Sequence, residues 1–159
     1  MFPKIKGAFN MSQIKIYPEK QETSDFKLQF DGCSKGNPGL SGAGAVIYHD
    51  SEEIWNSYLF LGKKTNNYAE YTGLIIGLKQ AIQMNIKNLT VEGDSLLVIN
   101  QMLGIYKVKS PVLLDLYNTA KELETKFEKV DFIHIYRNNN KRADELSNTA
   151  VSEYLKELN

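Results

Sequence analysis

Four small residues, Ala69, Gly73, Gly77 and Ala81, recur at every fourth position within residues 66–84. Residues four apart share one face of a helix. A neighbouring row of Tyr71, Leu74, Ile75, Leu78 and Ile82, at steps of three and four, gives the same segment an apolar stripe. Each glycine inside a helix costs about 1 kcal/mol relative to alanine. A straight line of small residues is therefore kept for closeness, and it predicts another backbone packed directly against this helix. Packing, rather than contact with a ligand, is the expected role of the row.

The flanking patterns say what that backbone is. Upstream, Phe26, Leu28 and Phe30 alternate with Lys27, Gln29 and Asp31, the period of a half-buried strand. A turn-rich stretch over residues 32–44 follows, then strands over 45–48 and 53–61, joined closely enough for an antiparallel meander. Downstream, residues 89–93 read as a fourth strand and a helix begins near Ser95. Another helix begins at Pro111, with Ser110 as its cap. Residues 130–136 form a fifth strand and 142–158 a last helix, with a stripe of Ala143, Leu146, Ala150, Val151, Tyr154, Leu155 and Leu158. The order βββαβααβα predicts an α/β fold, a mixed five-stranded sheet flanked by helices. Residues 106–109 form the expected connecting loop between the middle helices. Residues 1–25 are polar and weakly patterned, and are read as an extension, flexible or lightly packed, ahead of one domain over 26–159.

Composition excludes several classes. No stretch approaches the roughly 20 apolar residues that span a bilayer, and the first 20 residues contain no continuous apolar run of the kind a secretory signal needs. Cys33 is the sole cysteine, which excludes an intramolecular disulfide and points to a reducing, intracellular and cytoplasmic setting. The 19 basic and 19 acidic residues cancel. That balance fits a nucleic-acid binder only if acids gather at one site while lysines lie elsewhere.

The acids carry the chemistry. Asp31 ends the first patterned strand, followed by Gly32, and Asp94 ends the fourth, preceded by Gly93. Glu70 lies one turn into the first long helix and Asp144 in the first turn of the last. Each has an ordinary explanation: a turn residue for Asp31, a solvated helix position for Glu70, an N-cap for Asp94, a helix-dipole partner for Asp144. Together they suit something else. Mg²⁺ takes carboxylate, phosphate and water oxygens, and two such ions about 3.5–4 Å apart form a device for phosphodiester hydrolysis.

Four motifs stand in sequence order: FDGCSKGNPGLSGAGAVIY from Phe30, Thr65-Asn66-Asn67-Tyr68-Ala69-Glu70, Val91-Glu92-Gly93-Asp94-Ser95, and Arg142-Ala143-Asp144-Glu145-Leu146-Ser147-Asn148. Over about residues 26–154 the chain thus resembles type 1 ribonuclease H. The resemblance implies a ribonuclease H-like fold and metal-dependent cleavage of the RNA strand of RNA–DNA hybrids. It further implies two Mg²⁺ ions, with Mn²⁺ as substitute, held by Asp31, Glu70, Asp94 and Asp144. Asp31 would bridge the ions, Asp94 would help orient the attacking water, and Glu70 would also touch a ribose 2′-hydroxyl. Gly32, Asn37, Asn66 and Asn67 would be substrate contacts, the asparagines in the minor groove, and Thr65 part of a pocket for a DNA phosphate. Asn37 is also a turn residue and residues 65–67 also a capped helix start. The partner implied is the hybrid, with no membrane, and the state a monomer.

Two departures from the family pattern stand out. The loop before the last acid, Arg137-Asn138-Asn139-Asn140-Lys141, lacks the histidine many members carry, and Arg137 is the nearest substitute, as a phosphate binder. His134 is expected inside the fifth strand and His49 in a hairpin. Only residues 106–109 stand where some members insert a basic protrusion, which resembles a compact subgroup. Other enzymes of the superfold would show Asp-x-Glu on the first strand, where this chain has Asp31-Gly32-Cys33. A non-catalytic module would lack at least one of the four acids.

Overall fold

The computed structural model describes residues 25–159. The extension expected over residues 1–25 lies, apart from Asp25, outside the described residues. The elements are β1 (Phe26–Lys35), β2 (Gly39–His49), β3 (Glu52–Lys64), α1 (Asn66–Gln83), β4 (Asn88–Gly93), α2 (Leu96–Met102), α3 (Pro111–Glu124), β5 (Lys129–His134), a 3-10 turn (Arg137–Asn139) and α4 (Lys141–Glu157). The expected order βββαβααβα holds. The sheet runs β3-β2-β1-β4-β5, antiparallel among the first three strands and parallel across β1, β4 and β5.

Helices α1, α2 and α3 cover one face over the larger core, which includes Leu28, Phe30, Tyr71, Leu74, Leu78 and Val91. Helix α4 covers the other, where Val46, Ala143 and Leu146 pack together beside Tyr48. The expected cap forms at Ser110, whose Oγ accepts from the Leu113 N–H at 3.3 Å, while α2 is capped by Ser95, whose Oγ accepts from the Val98 N–H at 3.2 Å. Among the described residues, no helix is long and apolar enough to cross a membrane.

The small-residue row of α1 lies against the sheet backbone. A Cβ on Gly73 would sit 2.7 Å from Asp31 O and 2.9 Å from Gly44 O, and one on Gly77 would strike the Leu28 side chain. Carbonyls held in a sheet cannot yield as a flexible side chain can. Gly73→Ala is therefore expected to cost about 2–3 kcal/mol, read from the urea unfolding midpoint. A loss below roughly 0.5 kcal/mol, the scale of a surface substitution, would show that α1 has room to shift.

The structure corrects two readings. Residues 32–44 are not mainly turn: β1 continues to Lys35 and β2 starts at Gly39, leaving only residues 36–38 between them. The glycines of β2 serve close approach. A Cβ on Gly44 would lie 2.8 Å from Ala143 O, and one on Gly42 would strike Ser147 O, both on α4. The α4 stripe is also shorter than its period implies. Ala143, Leu146, Ala150 and Val151 are buried and Tyr154 stacks on Phe60 at 3.9 Å, but Leu155 and Leu158 are exposed.

Candidate active site

Strand register explains why the first two acids meet. β1 and β4 run parallel with Phe30 opposite Gly93. The next residues, Asp31 and Asp94, therefore leave the paired ladder side by side. β1 itself continues past this point, so Asp31 sits within a strand and not in a turn. Asp94 is not the helix cap either, because Ser95 takes that duty for α2. Glu70 arrives from α1, and Gly32 sets the distance, since a Cβ there would strike the backbone of Ala69 and Glu70. Asp144 comes from the first turn of α4 on the opposite face.

Carboxylate oxygens of Asp31, Glu70 and Asp94 lie within 4.8 Å of one another. Asp144 joins these three in lining a cavity of about 490 Å³, with Lys35 and Arg137 as its basic residues. Asp31 and Glu70 are only 5% and 7% exposed, so neither is a turn or solvated helix residue. Burial, then the charge of Asp94 and a hydrogen bond with Asp144, push the Asp31 carboxyl up to about 8. Burial, and then the charges of Asp31 and Asp94, raise Glu70 well above the carboxylate range. Burial raises Asp94 as well, opposed by the Asn140 amide and the charges of Arg137 and His134.

Such a cluster fits a hard divalent cation. All its donors are oxygens, burial and mutual repulsion hold protons on it at neutral pH, and Glu70 Oε1 is buried without a hydrogen-bond partner among the described residues. Metal would replace those protons, so affinity would rise with pH.

Several neighbours of the acids were not singled out in the sequence. Asn148 Nδ2 donates to Asp144 Oδ1 at 3.2 Å and to Asp144 O at 2.8 Å, while its Oδ1 accepts from Lys35 Nζ. The i, i+4 spacing of Asp144 and Asn148 on a helix was the available signal. Asn140, fully buried, donates from Nδ2 to Phe30 O at 2.9 Å. His134 lies in β5, as expected, at its end opposite Gly93; it is exposed and its charge acts on Asp94.

Known proteins match this chain in sequence and in shape. A family model described as "Reverse transcriptase-like" matches residues 29–150. The ribonuclease H of Pseudomonas fluorescens is 30% identical over 149 residues, covering 84% of this chain and 94% of that protein. The chain belongs to the ribonuclease H family. A bifunctional protein of Mycobacterium tuberculosis is 41% identical over 126 residues, 78% of this chain and 35% of that protein. The chain thus spans about a third of the length of the mycobacterial relatives it matches. The N-terminal ribonuclease H domain of that protein, solved as a fusion, superposes with a TM-score of 0.81 at 37% identity, covering 86% of this chain and all of that one (100%). A ribonuclease H1 designated LC11, solved in complex with an RNA/DNA hybrid, gives 0.78 at 35% identity over 82% of this chain and 99% of that one.

Within this ribonuclease H fold, the residues expected to touch substrate divide into two groups. Gly32, Asn66, Asn67 and Arg137 line the same cavity as the acids. Asn37 and Thr65 do not line it. Asn37 Oδ1 accepts from the Asn66 N–H at 2.9 Å, tying the β1–β2 turn to the start of α1, and Thr65 is the N-cap, its Oγ1 accepting from the Tyr68 N–H at 3.2 Å.

Proposed function

We propose that the chain is an endonuclease that hydrolyses the RNA strand of RNA–DNA hybrids with two divalent ions, Mg²⁺ or in substitution Mn²⁺. It would leave 5′-phosphate and 3′-hydroxyl ends. The observation that carries this reading is the group of three carboxylates within 4.8 Å, beside a cavity that Asp144 also lines. The hybrid complex of a structural neighbour supports the substrate class.

Asp31, Glu70, Asp94 and Asp144 would hold the ions. When bound, these supply charge neutralisation and Lewis acidity at the scissile phosphate. Asp31, influenced by all three other acids, is suited to be shared between both ions. Asp94 would orient the attacking water, whose oxygen bonds to phosphorus as the bond to the 3′ oxygen breaks. Glu70 would accept a hydrogen bond from a ribose 2′-hydroxyl, the group that separates RNA from DNA. Gly32, Asn37, Asn66 and Asn67 would contact the minor groove, and Thr65 a phosphate of the DNA strand. Monomeric action and the compact-subgroup assignment belong to the same reading.

The test is a gel assay on labelled hybrid, duplex DNA and single-stranded RNA, each with and without Mg²⁺. Cleavage of hybrid alone, and only with Mg²⁺, is expected. Comparable cutting of duplex DNA would indicate another nuclease of the superfold, and no cutting a non-catalytic module.

Arg137 would bind phosphate by charge and geometry rather than by shuttling a proton. Arg137→Ala should lower turnover about tenfold, and Arg137→Lys should recover only part, since a guanidinium grips phosphate with two parallel hydrogen bonds. The shape of the rate profile from about pH 6 to pH 9 should not change, because the arginine would act by charge and hydrogen-bond geometry and not as a proton donor or acceptor. An unchanged rate for Arg137→Ala would remove it from the mechanism. Loss of activity in a folded His134→Ala protein would transfer the role to that histidine.

A further inference from the structure

We infer that Asn140 is a positioning residue for the acid cluster, its side-chain amide tying the helix turn that carries Asp144 to the strand segment that carries Asp31. The inference rests on the divalent-metal reading of those acids.

Asn140 is the residue before α4 and is fully buried, with 0% exposure. An asparagine there ordinarily caps its helix by accepting an N–H of the first turn, worth about 1 kcal/mol. This one makes no side-chain capping bond. Its Nδ2 donates instead to Phe30 O at 2.9 Å, the carbonyl just before Asp31. Phe30 O can only accept, so the amide orientation is fixed, with nitrogen toward β1 and oxygen away. That oxygen, Asn140 Oδ1, is buried and has no partner among the described residues. Leaving a buried acceptor unpaired costs about 1–3 kcal/mol. A side chain retained only for packing or capping would incur neither loss.

The same amide favours the charged form of Asp94. Through its backbone, Asn140 also accepts from the Asp144 N–H at 3.1 Å and donates to Arg137 O at 3.0 Å. One residue therefore joins the start of the Asp31 segment, the helix turn bearing Asp144, and Arg137. The acids of the cluster repel one another when charged. A neutral tie between β1 and α4 resists that repulsion without competing for metal, as residues behind metal ligands generally do.

The experiment compares the full chain with Asn140→Ala and Asn140→Asp, the latter keeping the shape while removing the donor. MgCl₂ is titrated against each, followed by backbone amide shifts near Asp94 and, separately, by the rate of hybrid cleavage. Both variants should need about 10–100-fold more Mg²⁺ for half-saturation by either measure, while cleavage at saturating Mg²⁺ falls much less, because all four acids remain. A folded variant with lowered thermal stability but an unaltered Mg²⁺ midpoint would overturn the inference, leaving Asn140 a structural residue. Should neither variant fold, the wild-type protein decides. The Asn140 side-chain NH₂ resonances should be protected from solvent exchange and should shift with the same Mg²⁺ midpoint as Asp94; free exchange, or no shift at saturation, overturns it. A wild-type chain that binds no Mg²⁺ overturns the metal reading and this inference with it. Wild-type binding beside unaltered variants overturns the Asn140 role alone.

Discussion

Asp94→Asn is expected to reduce Mg²⁺-dependent cleavage of hybrid by at least about 10³-fold while the protein stays folded. The amide is nearly isosteric with the carboxylate but lacks the charge a hard cation requires. Asp31→Asn should behave alike, with a second consequence that Asp94 shows less strongly. Asp31 is buried, is pressed by Asp94, and holds its proton up to about 8. Replacing it removes a group that must take up a proton on folding at neutral pH, so the metal-free variant should be more stable than wild type there by about 1–3 kcal/mol. Loss of activity together with a gain in metal-free stability is the signature of a ligand, whereas a structural residue would lose both. Turnover near wild type by either variant in Mg²⁺ would remove the site assignment.

In the absence of divalent metal, stability should fall as pH rises from about 4 to about 8. The direction follows from Asp31, raised from 3.8 to about 8, with Glu70 and Asp94 shifted the same way. Between those values the folded protein retains protons that the unfolded chain has released. Unfolding then releases protons and is favoured by raising the pH; below about 4 and above about 8 the two states bind alike at Asp31 and its contribution to the dependence vanishes. Urea unfolding in EDTA should show a loss of roughly 5 kcal/mol across the window. Mg²⁺ should restore stability, more at pH 8 than at pH 5, because at the lower pH it must displace more protons. Asp31→Asn should flatten most of the slope. Stability in EDTA that is level across this window would show that the acids do not repel one another as their geometry implies.

Much of this protein was legible as a linear pattern. The alternation of Phe26, Leu28 and Phe30, the stripe from Tyr71 to Leu78 and the cap Ser110 are local features, set by the period of an element or by one hydrogen bond at its end. They sufficed for the element order and hence for the sheet, because connection rules leave few ways to arrange three hairpin strands and two crossovers. The four acids were legible as a set, since their spacing and neighbours repeat a family pattern.

Other features depend on separations that no local pattern encodes. Gly42 and Gly44 read as turn residues, yet they lie in the middle of β2 because α4 presses on them from a hundred residues away in sequence. For Thr65 and Asn37 the sequence offered both a structural and a substrate-contact reading, and the structure shows the structural one, since their side chains hold the start of α1. His134 read only as a strand residue, and the parallel register of β4 and β5 brought it opposite Gly93. Asn140 was one polar residue in a polar loop until its amide was found on Phe30 O. The sequence alone thus determined which elements form and which residue types can carry the chemistry, because propensity, period and capping act over a few residues. Only the tertiary structure decided which side chains face one another, since burial and charge repulsion are properties of distance in space.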